Sequence, residues 1–366
     1  MKKARCVFLL FIITFLLWGC NNRRHNIFDG DFRYVRLKGE PILLNGEKMN
    51  LEIPGVMEME IVDTFLVAFT PMNNEGFISV YSTNSYKSLY KNIIKKGRGP
   101  NEFTNWLNLC NKNYIDTSGA VIWLEDNNKQ FLLAVNLTKS VRQQELVIEK
   151  TVNISDIPKN DTWTIKRLTD TTYLKLDSDQ LERVQGKFIW SVDNFNLSIY
   201  NTISKKNVFS TQLYTQKAEN INFLAGSLSV KPDNSRVAIT MLSFDQINFM
   251  SLDGKERFSV STSKSPMKIE SLTENDNERV EYYTSVYFNN NLLIAVHAKE
   301  SRIDAGKAST EIHVFNWQGD IINIIKPAQY ISTITLDETK GYLYGLNQTN
   351  EEIYRYDIRK ILNKTK

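Results

Sequence analysis

Residues 247–255, Ile-Asn-Phe-Met-Ser-Leu-Asp-Gly-Lys, alternate in the period of a β-strand and then break into a turn. Ile247, Phe249 and Ser251 point to one face, Asn248, Met250 and Leu252 to the other, and Asp253-Gly254 supplies the turn. The same shape returns at 78–81, 133–136, 197–200, 312–315 and 353–356, at intervals of 41 to 65 residues. Unequal intervals around a constant strand unit are what a repeat fold gives when its loops differ in length. The pattern predicts an all-β chain: a six-bladed β-propeller of four-stranded antiparallel blades.

The flanking patterns fill in the blades. Met57, Met59 and Ile61 alternate before the apolar run Phe65-Leu66-Val67-Ala68-Phe69, and strands are predicted at 120–124, 131–137, 172–176, 188–192, 208–213 and 292–297. Leu228-Ser229-Val230-Lys231-Pro232-Asp233-Asn234 reads as a strand entering a turn, with Pro232 presetting the angles, and Asp337 to Gly341 repeats that turn in the last blade. The long loop 298–309 is a candidate ligand rim. After the third strand of the sixth repeat, 359–366 is too short and polar to complete the sheet. An open edge invites aggregation, so an N-terminal strand within 34–44 is expected to close the ring beside 353–358.

The amino terminus has a different character. Lys2, Lys3 and Arg5 precede an apolar run from Cys6 to Trp18, too short to span a bilayer and of the length of a signal segment. The run ends in Leu17-Trp18-Gly19-Cys20, which resembles a bacterial lipoprotein signal, Trp18 being bulkier than usual there. The resemblance implies cleavage after Gly19 and lipidation of Cys20, hence a membrane partner through the lipid. The division expected is a signal at 1–19, a flexible spacer at 20–33 in which nothing packs, a propeller at 34–362 and a tail at 363–366.

Removing the signal also changes the charge. The formal +4 loses three basic residues, leaving them one ahead of the 41 acidic ones, so no strong field for nucleic acid remains. Of three cysteines only Cys110 stays unmodified within the domain, which rules out an internal disulfide.

Between the first two repeats lies Lys96-Gly97-Arg98-Gly99-Pro100-Asn101-Glu102-Phe103. Two glycines and a proline make a tight loop that carries the chain between blades. This segment resembles the Gly-Arg-Gly-Pro-Gly-Glu-aromatic loop of the TolB-like six-bladed propeller lipoproteins of Bacteroidota, with Asn101 in place of the third glycine. The resemblance covers 34–362 and implies a cell-envelope protein. Asn21-Asn22-Arg23-Arg24 does not look like the acidic surface-export signal of some such lipoproteins, which implies an outer-membrane anchor facing the periplasm. Arg98 and Glu102 are expected first to pair across the turn, and otherwise to face a ligand. Trp106 and Trp163 open repeats and are the aromatic candidates for ligand contact, gap-filling between blades being the commoner use.

Catalytic chemistry finds little support. The only histidines beyond the spacer, His297 and His313, lie in predicted strands, no Gly-x-Ser-x-Gly elbow is present, and no zinc-ligand spacing appears. Asp177, Asp179 and Glu182 lack the glycine and ligand number of a calcium loop. No metal, cofactor or catalytic residue is therefore assigned. The function expected is a non-catalytic binding or scaffold module for a protein or carbohydrate ligand. The alternative is a carbohydrate-active hydrolase or lyase using carboxylates at the central funnel.

Overall fold

All six copies of the repeated stretch become the third strand of an antiparallel meander. The computed structural model describes residues 26–36, 38–99, 101–104, 107–109, 114–126, 128–157, 162–179, 182–183, 190–307 and 309–363. Blades 1 to 5 occupy 58–96, 108–153, 162–212, 226–261 and 280–327; blade 6 is 333–357 completed by 47–48. The protein is a six-bladed β-propeller.

Strand periodicity explains how the blades hold together. Successive side chains of a strand face opposite neighbours, so each blade is buried on both faces and its strands read as nearly continuous apolar runs. Among the described residues the core divides into six clusters, one at each blade interface. In the third strand of blade 4, Ile247 and Phe249 join the cluster shared with blade 5, and Met250 joins the one shared with blade 3. Trp123 and Trp317 fill the interfaces between blades 2 and 3 and between blades 4 and 5. Each fully buried apolar side chain of this kind contributes about 1.5–3 kcal/mol relative to exposure.

The ring is closed by an N-terminal strand, but not by the stretch expected. Glu47–Lys48 pairs antiparallel with Arg355 and Tyr354, and Met49 N donates to Ile353 O at 2.8 Å. The residues just before it serve other blades. Asp31–Tyr34 adds a parallel strand outside blade 4, and Ile42–Leu44 adds one outside blade 5. The N-terminal segment therefore straps three successive outer edges before entering blade 1. Blade 1 also exceeds four strands, because Glu102–Phe103 returns alongside its outer strand.

The expected spacer is corrected by the same segment. From Asn26 onward it is docked: Ile27 and Phe28 are buried with the apolar side chains between blades 3 and 4, and Asp29 N donates to Leu213 O at 2.8 Å. Asn26 Nδ2 donates to Ser259 Oγ at 2.9 Å. Two apolar residues in a polar stretch suffice to anchor it. The acidic residues near Asp177 are strand residues where described: Asp177 and Asp179 end the strand Thr172–Asp179, Glu182 opens the separate strand Glu182–Arg183, and Asp177 pairs with buried Lys175 at 2.8 Å. One helix the pattern did not predict, Leu137–Gln143, connects the last two strands of blade 2, with Asn136 Oδ1 accepting from Lys139 N as its cap.

Candidate functional site

In a four-stranded meander the turns after strands one and three leave one end of the sheet, and those after strands two and four leave the other. The first end carries short turns such as 63–64, 117–118 and 289–291, with the helix Leu137–Gln143 as its longest connection. The second end carries 97–107, 180–193, 213–225, 262–279 and 302–310. Length is thus concentrated on one face of the disc, where loops held by a rigid scaffold are free to carry binding residues. Met57, Met72, Trp190, Val280 and Ile303 are exposed on that face.

Immediately beneath it, between blades 4 and 5, lies a buried polar cluster. His297 is on the second strand of blade 5, and Glu311 and His313 are on the third. The hairpin register sets His297 opposite Glu311, and the period of two puts His313 on the same face as Glu311. The two imidazoles stack with centroids 4.4 Å apart and planes 19° from parallel. His297 Nε2 lies 3.2 Å from Asp245 Oδ1, His313 Nε2 lies 3.2 Å from Glu311 Oε2, and His313 Nδ1 lies 3.3 Å from Tyr283 OH.

Asp245 comes from the short connection between the second and third strands of blade 4. Its other oxygen accepts from Ser263 Oγ at 2.7 Å, Thr262 Oγ1 at 3.0 Å and Ser261 Oγ at 3.3 Å. Burial pushes this carboxyl up, but the hydrogen bond and nearness of His297, with the bonds from Ser263 and Thr262, outweigh it and bring it to about 2. Glu311 is likewise held at about 2, by the hydrogen bond from His313 and, against burial, by Lys326. His313 is pushed below its ordinary value by burial, with Glu311 opposing. Burial and the two carboxylates raise Tyr283 well above the phenol range.

A second group sits on the innermost strands. Glu58 opens the first strand of blade 1; it is open to solvent yet walled by protein, and that environment raises its pKa against the pull of Lys166 on the first strand of blade 3. Lys166 Nζ also donates to Leu109 O of blade 2 at 3.2 Å.

The residues singled out from sequence are distributed as follows. Arg98 is exposed. Glu102 does not pair with it: Glu102 Oε2 accepts from Gly99 N at 2.8 Å, and Gly97 N donates to Phe103 O at 3.0 Å. The loop is tied by a carboxylate-to-backbone bond instead of an ion pair. A Cβ on Gly97 would stand 2.0 Å from Glu102 Oε2, which is why glycine is needed there. Trp163 lies in the first strand of blade 3, Thr162–Arg167, at its long-loop end. Cys20, Trp106, Pro100 and Cys110 lie outside the described residues, as does the signal segment. Among the described residues no helix is long and apolar enough to cross a membrane. The histidine cluster escaped sequence reasoning because 16 positions separate His297 from His313 while the hairpin brings their rings into contact.

No family model and no curated protein matches the chain. Among solved structures, a member of the DUF4221 family from Bacteroides vulgatus is similar over 88% of this chain and 97% of its own, at 12% identity and a TM-score of 0.49. A protein from Bacteroides fragilis described as exported matches over 89% and 98%, at 12% identity and a TM-score of 0.44. The β-propeller domain of Cps50 (Swd1) from Myceliophthora thermophila matches over 85% and 99%, at 9% identity and a TM-score of 0.45. At these identities and scores the likeness adds nothing to what the strand order itself establishes.

Proposed function

We propose that this propeller is a lipid-anchored binding or scaffold module of the TolB-like kind in the cell envelope, held by Cys20 at the outer membrane and facing the periplasm. Its long-loop face takes a protein or carbohydrate ligand. The observation that carries the binding reading is the asymmetry of the disc. The long connections gather on one face with Met57, Met72, Trp190, Val280 and Ile303 exposed among them. Exposed aromatic and methionine side chains on a polar rim are the composition of a recognition surface. Arg98 and Trp163 lie toward this end and stay in the proposed contact set, Trp106 is retained from the sequence alone, and Glu102 is engaged in holding the loop.

The enzymatic alternative needs a pair of carboxyl groups across a sugar. What supports it is one raised carboxyl, Glu58, on which the acting charge is that of Lys166. The binding reading is therefore preferred.

The test is capture from envelope extracts and a glycan array, comparing Trp190→Asp/Ile303→Asp on the long-loop face with Ile203→Asp/Val208→Asp elsewhere. Loss of a captured ligand with the first pair alone supports the reading; equal loss with both pairs, or with neither, defeats it. Cys20→Ser should release the protein from membranes, since stable anchoring needs the acyl chains. Retention after alkaline washing places the anchor elsewhere.

A further inference from the structure

We propose that His297, Glu311 and His313 form a binding site for one divalent transition-metal cation, zinc in the first place. Their candidate ligand atoms all lie within 4.8 Å of one another. In a tetrahedral zinc site, bonds of about 2.0–2.2 Å put neighbouring ligand atoms roughly 3.4 Å apart. His313 Nε2 and Glu311 Oε2, at 3.2 Å, already stand at that spacing. His297 completes the set by turning out of its 4.4 Å stack, a side-chain movement within a rigid hairpin.

The surroundings fit the ligands to this role. Each imidazole has a partner on a ring nitrogen: Asp245 on His297 Nε2 and Tyr283 OH on His313 Nδ1. Outer partners of this kind fix the tautomer and orientation of metal-ligating histidines. With Asp245 accepting the Nε2 proton, His297 offers Nδ1. Without metal, His313 Nε2 donates to Glu311 Oε2; metal at Nε2 replaces that bond and requires the ring's one proton to move to Nδ1, where it is donated to the Tyr283 oxygen, so that the neutral ring loses no proton. Asp245 and Glu311 against Lys326, which is 2.9 Å from Glu311 Oε1, leave the pocket one negative charge in surplus to meet the cation. Two imidazoles and one carboxylate select zinc and its neighbours over magnesium or calcium, which take oxygen alone. Glu311 is the accessible member, its side chain 32% exposed, so entry and the fourth ligand, a water, come from its side.

Histidine is scarce enough to make the test sharp. The chain has three histidines, and the third, His25, lies in the N-terminal segment. The purified, chelator-treated chain would be titrated with cobalt(II) and zinc(II), reading the visible d–d absorption of cobalt, its displacement by zinc, and the melting temperature. Expected are one equivalent bound, a zinc-dependent rise in melting temperature, at least tenfold weaker binding in Glu311→Gln and in His313→Gln, and unchanged binding in His25→Ala. Glu311→Gln is the decisive variant because it keeps the side-chain shape at a partly exposed position; circular dichroism and melting without metal verify that it folds. No saturable binding by the unaltered chain at tenfold molar excess overturns the proposal whatever the variants do. Binding undiminished in a folded Glu311→Gln, or abolished by His25→Ala, overturns it equally.

Discussion

Phe28→Ala should destabilise the propeller as a core substitution does, although sequence composition places residue 28 in a spacer. Phe28 is 1% exposed and packs with the side chains between blades 3 and 4, next to Tyr214, with which it forms an isolated bridge. Truncating a buried phenylalanine costs about 3–5 kcal/mol, the lost transfer plus the cavity left behind. Unfolding entropy of about 2.1 cal/mol/K per residue over roughly 340 residues gives about 0.7 kcal/mol/K, so the melting temperature should fall by about 4–7 °C. The assay is thermal unfolding followed by circular dichroism, with Leu43→Ala as control. Leu43 belongs to the same N-terminal segment but is 78% exposed, and its truncation should stay within about 0.5 kcal/mol, a shift below about 1 °C. Hydrogen exchange adds a local reading: Thr215 N donates to Ile27 O at 2.8 Å, so its amide should lose protection in Phe28→Ala. A Phe28→Ala protein that melts within about 1 °C of the parent, with Thr215 as protected as before, would refute the docking of residues 26–30.

Three further outcomes follow from the same geometry. A chain starting at Met49 should lose hydrogen-exchange protection at 257–261, 321–327 and 353–356 together, because one N-terminal segment pairs with all three; loss confined to 353–356 would mean that only the closing strand matters. Gly97→Ala and Glu102→Ala should each cost on the order of 1 kcal/mol and be non-additive by 0.5 kcal/mol or more, since both disrupt the same carboxylate-to-backbone bond; strictly additive unfolding free energies would show that the loop does not depend on it. Glu58 has a folded pKa above its unfolded one, so the folded state binds more protons and the parent gains stability as pH falls from neutral through the raised value. Glu58→Gln should therefore be more stable than the parent at pH 7 and lack that gain, and identical stability profiles for the two proteins between pH 4 and 8 would contradict the shift.

The recurring short strand unit ending in a turn determined the number of blades and the place of each third strand, because a strand buried on both faces leaves a local apolar run, bounded by turn residues, that is readable without any partner being known. The turn at Lys231 to Ser235 was legible for the same reason: Pro232 and Asp233 act on their own backbone, and Asn234 takes the left-handed angle, φ 57°, that asparagine tolerates. Which strand lies beside which terminus was not local. Glu47–Lys48 carries no apolar signature, and its place at the edge of blade 6 is decided by where the ring brings residues 353–355. Ile27 and Phe28 were hidden likewise, since two apolar residues in a polar stretch mean nothing until a groove between blades 3 and 4 exists to receive them. The histidine cluster makes the same division. Glu311 and His313 share a face by periodicity, which the sequence states, but the register that sets His297 opposite Glu311 belongs to the hairpin, and Asp245 reaches His297 from another blade. Sequence records what each strand does to its own side chains; cross-strand register and the meeting of blades depend on the summed packing of residues far apart in the chain, and only the folded ring decides them.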